Sequence, residues 1–152
     1  MKDELRIQDN DIQTILLIED NPDILENLTE FLEIEGYKIL SANNGKRGIE
    51  LAAEFIPDLI ICDVLMHEMD GYEVLRLLLD STKTQKIPFI FSTSMSENVD
   101  RTEAMKLGAA DYIVKPFELT TLLKMVQACM PCPVKSKDDV IHSASAIPHL
   151  QN

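Results

Sequence analysis

Between residues 14 and about 130 the chain changes its hydrophobic period again and again, and this alternation limits its fold more than any other feature. Short apolar runs stand at 14–18 (TILLI), 38–42 (KILSA), 58–62 (DLIIC), 87–92 (IPFIFS) and 110–114 (ADYIV). Several are apolar almost throughout, the pattern of strands covered on both faces of a parallel sheet. Helical patterns fill the gaps. The first opens at Asn21-Pro22, a capping side chain followed by proline at the first helical position, and stops at Gly36. It carries Leu25, Leu28 and Leu32 on one face. The second places Ile49, Ala52, Ala53 and Ile56 at helical spacing. A third spans roughly 72–80, and a weakly amphipathic fourth covers 98–107 and ends at Gly108. The last puts Leu119, Leu122, Leu123 and Val126 on one stripe. Five β-α units joined by right-handed crossovers predict a doubly wound α/β sandwich of three layers.

The flanks differ in character. Residues 1–11 read as a polar tail, and 131–152 hold three of the seven prolines with two lysines against two aspartates. The second stretch reads as a linker or disordered tail, leaving 12–130 as one domain. Charge narrows the function classes: 14 Lys+Arg against 26 Asp+Glu give −12, the wrong sign for a chain that binds phosphates of nucleic acid. No apolar run approaches the ~20 residues of a membrane helix, and the first residues lack the apolar segment of a secretory signal. Three cysteines without an export signal fit a reducing cytoplasm.

In open α/β sheets the ligand site lies beyond the carboxyl ends of the strands. There the chain places Glu19-Asp20, Asp63, Ser92-Thr93-Ser94 and Lys115-Pro116. Two unit charges 4 Å apart interact by roughly 4 kcal/mol at an effective dielectric near 20, so three carboxylates brought together repel strongly. Lys115 cancels only one of them. A divalent hard cation would balance the sum, and all-oxygen ligands favour Mg²⁺ over zinc. Any one loop acid is most simply a solvated surface group. Five chemically matched groups at the same strand ends point to a site.

These residues sit in LLIEDNPD (16–23), DLIICDVLMHEMDGYEVL (58–75), IPFIFSTS (87–94) and GAADYIVKPFEL (108–119). Together they resemble the receiver domain of two-component response regulators. The resemblance implies a flavodoxin-like sheet of order 2-1-3-4-5 and assigns roles position by position. Asp63 is the expected phosphoacceptor. Glu19 and Asp20 are the acid pair that positions Mg²⁺, with Asp63 and the backbone carbonyl of Leu65 completing the protein ligands. Thr93 is the expected switch hydroxyl, Tyr112 the switch aromatic, and Lys115 the partner of the phosphoryl group. A cis Lys115–Pro116 bond is also implied. The chemistry would be confined to the chain's own phosphorylation and dephosphorylation, with a sensor histidine kinase or phosphotransfer protein as donor. Output partners and dimerisation stay open; the family's usual partner surface surrounds the fifth strand and its two flanking helices. After residue 130 there is no helix-turn-helix pattern or basic stripe.

Several positions depart from the family pattern or invite other readings. His67 stands where proline is usual; it reads as an exposed loop histidine and not as a ligand of hard Mg²⁺. Leu65 and Met95 are apolar where neighbours of the site influence water access, so slow self-dephosphorylation is expected. Cys129 and Cys132 match C-x-x-C, but a helix C-terminal end disfavours thiolate and two sulfurs do not make a structural zinc site. Cys62 reads as a small buried apolar residue, and the run Leu75, Leu77, Leu78, Leu79 exceeds one helical stripe. Among rivals of similar architecture, a flavodoxin would need a Ser/Thr/Gly-rich phosphate loop where Glu19-Asp20-Asn21 stands. A haloacid-dehalogenase-type phosphatase would carry its nucleophile on the first strand. The remaining alternative is a receiver-like interaction module independent of phosphate.

Overall fold

A computed structural model of the chain describes residues 12–94 and 101–131. Its elements are β1 (Thr14–Ile18), α1 (Pro22–Ile34), β2 (Lys38–Ala42), α2 (Gly45–Phe55), β3 (Leu59–Asp63), α3 (Gly71–Leu79), β4 (Phe89–Ser94), α4 (Arg101–Lys106), β5 (Asp111–Lys115) and α5 (Leu119–Cys129). The five strands are parallel in the order β2-β1-β3-β4-β5, the topology expected from the sequence. The polar tail at 1–11, the segment 132–152 and residues 95–100 lie outside the described residues.

Side chains on a strand alternate between faces, so the apolar runs divide into two cores. Leu16, Ile18, Ile60, Cys62, Phe89 and Phe91 pack with Ala52 of α2, Val74, Leu75 and Leu78 of α3 and Ala104 of α4. Ile15, Leu17, Leu59, Ile61, Ile90 and Ile113 pack on the other face with Leu28 and Leu32 of α1 and Leu122 and Val126 of α5. The leucine run of α3 is divided by the same periodicity: Leu75 and Leu78 are core, whereas Leu77 is exposed. Among the described residues no helix is long and apolar enough to cross a membrane.

Local chemistry starts the helices where the sequence places them. The side chain of Asn21 accepts from the backbone N–H groups of Asp23 and Ile24, that of Asn44 from Arg47, and that of Asp70 from Glu73. Each satisfies donors that the first turn leaves without an intrahelical partner.

Several boundaries shift from the sequence reading: β3 and β5 each lie one residue later than the apolar runs at 58–62 and 110–114, and α3 one residue earlier than 72–80. Ile56 completes the apolar spacing of α2, yet it lies past the helix end at φ 44° and is exposed. Pro57 follows it, and the ring of a proline disfavours the α conformation in the residue before. The fourth strand starts at Phe89 instead of Ile87 and runs on to Ser94, pairing Thr93 with Val114 and Ser94 with Lys115. The ladder therefore holds the two hydroxyl residues that follow the apolar run at 87–92. Of the helix read over 98–107, Arg101–Lys106 is α4, and 98–100 fall outside the described residues.

The connection from β3 to α3 is closed on itself: the N–H of Gly71 donates to the carbonyl of Val64 at 2.8 Å, and that of Met69 to His67 at 2.8 Å. Glu68 takes φ 69° within it. A Cβ on Gly71 would lie 2.5 Å from the backbone oxygen of Asp63, so only glycine lets α3 start this close to the end of β3. Gly71→Ala is therefore expected to destabilise the fold by about 1–3 kcal/mol, the usual cost of overpacking. Chemical denaturation checks this, with the exposed substitution Leu77→Ala as a control expected to cost less than about 0.5 kcal/mol.

Candidate functional site

The parallel register delivers the polar residues to one edge of the sheet. Asp63 closes β3 and is paired with Ser92, while Lys115 closes β5 and is paired with Ser94. Glu19 follows β1 directly, its N–H donating to the carbonyl of Ala42. Carboxylate oxygens of Glu19, Asp20 and Asp63 all lie within 4.8 Å of one another. Glu19 and Asp63 are only 4% and 5% exposed.

Three acids this close need positive charge. Lys115 Nζ donates to Glu19 Oε1 at 2.8 Å and stands 3.4 Å from Asp63 Oδ1. The other oxygen of Glu19 accepts from the N–H of Asn21 at 3.2 Å. Glu19 is thereby held from both sides, and the ammonium is drawn toward Asp63. Burial alone would lower the pKa of Lys115, but the bond to Glu19 and the charges of Glu19 and Asp63 outweigh it and raise the value above that of ordinary lysine. One ammonium against three carboxylates leaves excess negative charge. The cluster offers only carboxylate oxygens, a donor set that suits Mg²⁺.

The other sequence-derived positions fall around this centre. Thr93 is buried at the end of β4, and its Oγ1 donates to the carbonyl of Ser94 at 3.2 Å. Tyr112 lies half-buried on β5 with the guanidinium carbon of Arg101 5.8 Å from its ring centre. Arg101 is in turn fixed by Asp111 Oδ1 at 3.1 Å. The side chain of Leu65, two residues past Asp63, is 66% exposed. The Lys115–Pro116 bond is cis. Met95 and Cys132 lie outside the described residues.

The two described cysteines are not activated groups of the centre. Cys62 is fully buried, and its Sγ donates to the carbonyl of Asp63 at 3.3 Å. Burial, then the charges of Asp63, Glu19 and Asp70, push its thiol pKa well above the ordinary value. Burial and Asp111 likewise raise that of Cys129. Neither is an activated thiolate.

Two contacts were invisible in the sequence. One is Arg101 over Tyr112, for which no motif gives a signal. The other is His67, whose Nδ1 stands 3.2 Å from Asp20 Oδ2 although its side chain is 98% exposed. The only sequence signal for it is a histidine at a position where proline is usual. An apolar groove of about 890 Å³ also leads away from the centre. Ser94 and Lys115 line it together with Asn27 and Glu30, and Ile24, Phe31, Phe117 and Leu119 are among its apolar walls.

Comparison with known proteins agrees with this geometry. Residues 15–127 match the family model of the response regulator receiver domain, and the chain belongs to that family. Its members are phosphoacceptors of two-component signalling that bind Mg²⁺ at an acidic pocket and meet histidine kinases or phosphotransfer proteins. Protein PilH of Pseudomonas aeruginosa is 34% identical over 116 residues, which cover 76% of this chain and 96% of PilH. Larger relatives are matched over part of their length only: 48% of the DNA-binding regulator RpaA of Synechocystis and 25% of a probable cyclic di-GMP phosphodiesterase of Vibrio cholerae. Among solved structures, the chemotaxis protein CheY4 of Vibrio cholerae superposes with a TM-score of 0.73 at 27% identity, covering 78% of this chain and 99% of CheY4.

The raised pKa of Lys115 has a testable sign. The ammonium contributes stability that is complete below the unfolded lysine value, about 10.4, and is lost as pH rises through the higher folded value. Thermal unfolding between about pH 8 and 11.5 is expected to show a smaller alkaline loss of stability in Lys115→Met than in the parent.

Proposed function

We propose that residues 12–130 act as a phosphorylation-controlled switch, with Asp63 as the phosphoacceptor and Glu19, Asp20, Asp63 and the Leu65 carbonyl as the protein ligands of Mg²⁺. The observation that carries this reading is the Lys115 ammonium shared between Glu19 and Asp63 inside a cluster of three carboxylates. A carboxylate can serve as a nucleophile toward phosphorus. One oxygen of Asp63 attacks the phosphoryl group of a donor phosphohistidine, a P–O bond forms as the P–N bond breaks, and the departing imidazole takes up a proton. Mg²⁺, when bound, supplies neutralisation of the charge spread over the phosphoryl oxygens. Lys115, 3.4 Å from Asp63 Oδ1, would provide a second positive charge.

The acyl phosphate adds negative charge next to a buried hydroxyl. In the present arrangement Thr93 spends its donor on the carbonyl of Ser94. Turning that hydroxyl toward the phosphoryl oxygens exchanges a neutral hydrogen bond for a charge-assisted one, roughly twice as strong. The end of β4 follows, and Tyr112 moves with the space this opens. Such a change biases a two-state element through one local charge. Met105, Leu107, Val114 and Leu119 leave apolar surface exposed near β5 and its flanking helices, a suitable face for an output partner or a second copy. The groove lined in part by Lys115 gives the donor protein a surface continuous with the site. The protein performs this chemistry on itself and turns over no separate substrate.

Intact mass after incubation with a small phosphodonor and Mg²⁺ tests the reading. One added phosphoryl group is expected, absent in Asp63→Asn and absent without Mg²⁺. A folded parent that binds Mg²⁺ yet gains no mass would favour the phosphate-independent interaction module. Apolar Leu65 and Met95 cannot orient an attacking water, so the phosphorylated form should persist. Leu65→Asn combined with Met95→Glu is expected to shorten its lifetime about tenfold; unchanged decay measured by mass would refute the role of these positions.

A further inference from the structure

The contact between His67 and Asp20 gives the acidic centre a donor that is not oxygen. We infer that His67 supplies a nitrogen ligand, so that this centre discriminates in favour of later transition-metal cations such as Co²⁺ more strongly than its carboxylates alone would. The inference rests on the cation site proposed above and concerns which ion that site selects.

The geometry carries the argument. Nδ1 of His67 and Oδ2 of Asp20 are 3.2 Å apart. Two ligands bound at about 2.1 Å to one ion are separated by about 3.0 Å at a right angle and about 3.4 Å at a tetrahedral angle. The observed spacing lies between these values, so an ion can bridge the two atoms without spreading them. Nδ1 is one of the two imidazole nitrogens able to bind a metal, and the neutral ring offers a lone pair there in one tautomer. Imidazole suits transition metals, whereas Mg²⁺ keeps to oxygen and to its waters.

Placement also favours the role. Asp20 is one of the three clustered acids, so an ion seated among them already lies beside the group that His67 touches. The imidazole approaches from the solvent side, from the β3–α3 connection, while Lys115 occupies the buried side against Glu19 and Asp63. The nitrogen thus meets an incoming ion at the rim without displacing the ammonium. Because the His67 side chain is 98% exposed, it packs against nothing that a turn of the ring would disturb. The same exposure makes its replacement harmless to the fold.

Calorimetric titration with Mg²⁺ and with Co²⁺, at about pH 8, provides the test on the parent and on His67→Ala. The expected result is a Co²⁺-to-Mg²⁺ affinity ratio that falls roughly tenfold in His67→Ala, with Mg²⁺ affinity changing less than about twofold. Pulsed electron paramagnetic resonance of bound Mn²⁺ should show coupling to a ¹⁴N nucleus in the parent and none in the variant. An unchanged ratio, or no nitrogen coupling in the parent, overturns the inference while leaving the Mg²⁺ site intact. Failure of the parent to bind either cation overturns the inference together with the proposed cation site.

Discussion

The ammonium of Lys115 is the interaction on which the rest of the site depends. Two acids sit almost out of water at the end of a hydrophobic sheet, and a third lies beside them. Without a cation between them, their mutual repulsion and lost hydration would oppose the folded arrangement. Lys115 resolves this from the far end of β5, and the pairing of β5 with β4 and of β4 with β3 carries it there. The charge is therefore positioned by the backbone ladder, with the apolar strand segments below setting where that ladder ends. One ammonium cannot offset three carboxylates, and the remaining deficit is what makes the edge receptive to a further cation.

Much of this arrangement was legible in the sequence because it follows from periodicity. Buried parallel strands read as apolar runs, and the residues that close them, Asp63 and Lys115 among them, are marked by the abrupt end of each run. The three acids, the hydroxyl of Thr93 and the lysine could be assigned to one edge without coordinates. What escaped has a common cause. The extension of β4 through Ser94 depends on pairing with β5. The approach of Arg101 to Tyr112 joins residues from separate elements, as does that of His67 to Asp20. Spacing within one element cannot report contacts made between two.

The two cores carry different duties. The face toward α1 and α5 is built from aliphatic strand residues, Ile15, Leu17, Ile61 and Ile90, and is the simpler packing problem. The face toward α2, α3 and α4 holds the aromatic pairs Phe89–Phe91 and Tyr72–Phe91, whose ring centres lie 5.0 Å and 5.1 Å apart. Rings at this separation gain from their edge and tilted arrangements as well as from burial. This second face backs onto β4 just below Thr93. The end of β4 thus rests on packed aromatic rings.

The closed connection between β3 and α3 has a consequence for how such a protein can diversify. Its two ends are pinned, by the bond from Gly71 to Val64 and by the close approach of Gly71 to Asp63. Met66 is buried, but Leu65, His67 and Glu68 project from the rim into solvent. Leu65 and His67 can vary at little cost to folding, and His67 reaches Asp20 of the acidic cluster. The fold in this way joins a pinned framework to exposed side chains at the rim of the acidic cluster, so the surroundings of that cluster can be rewritten without a new architecture.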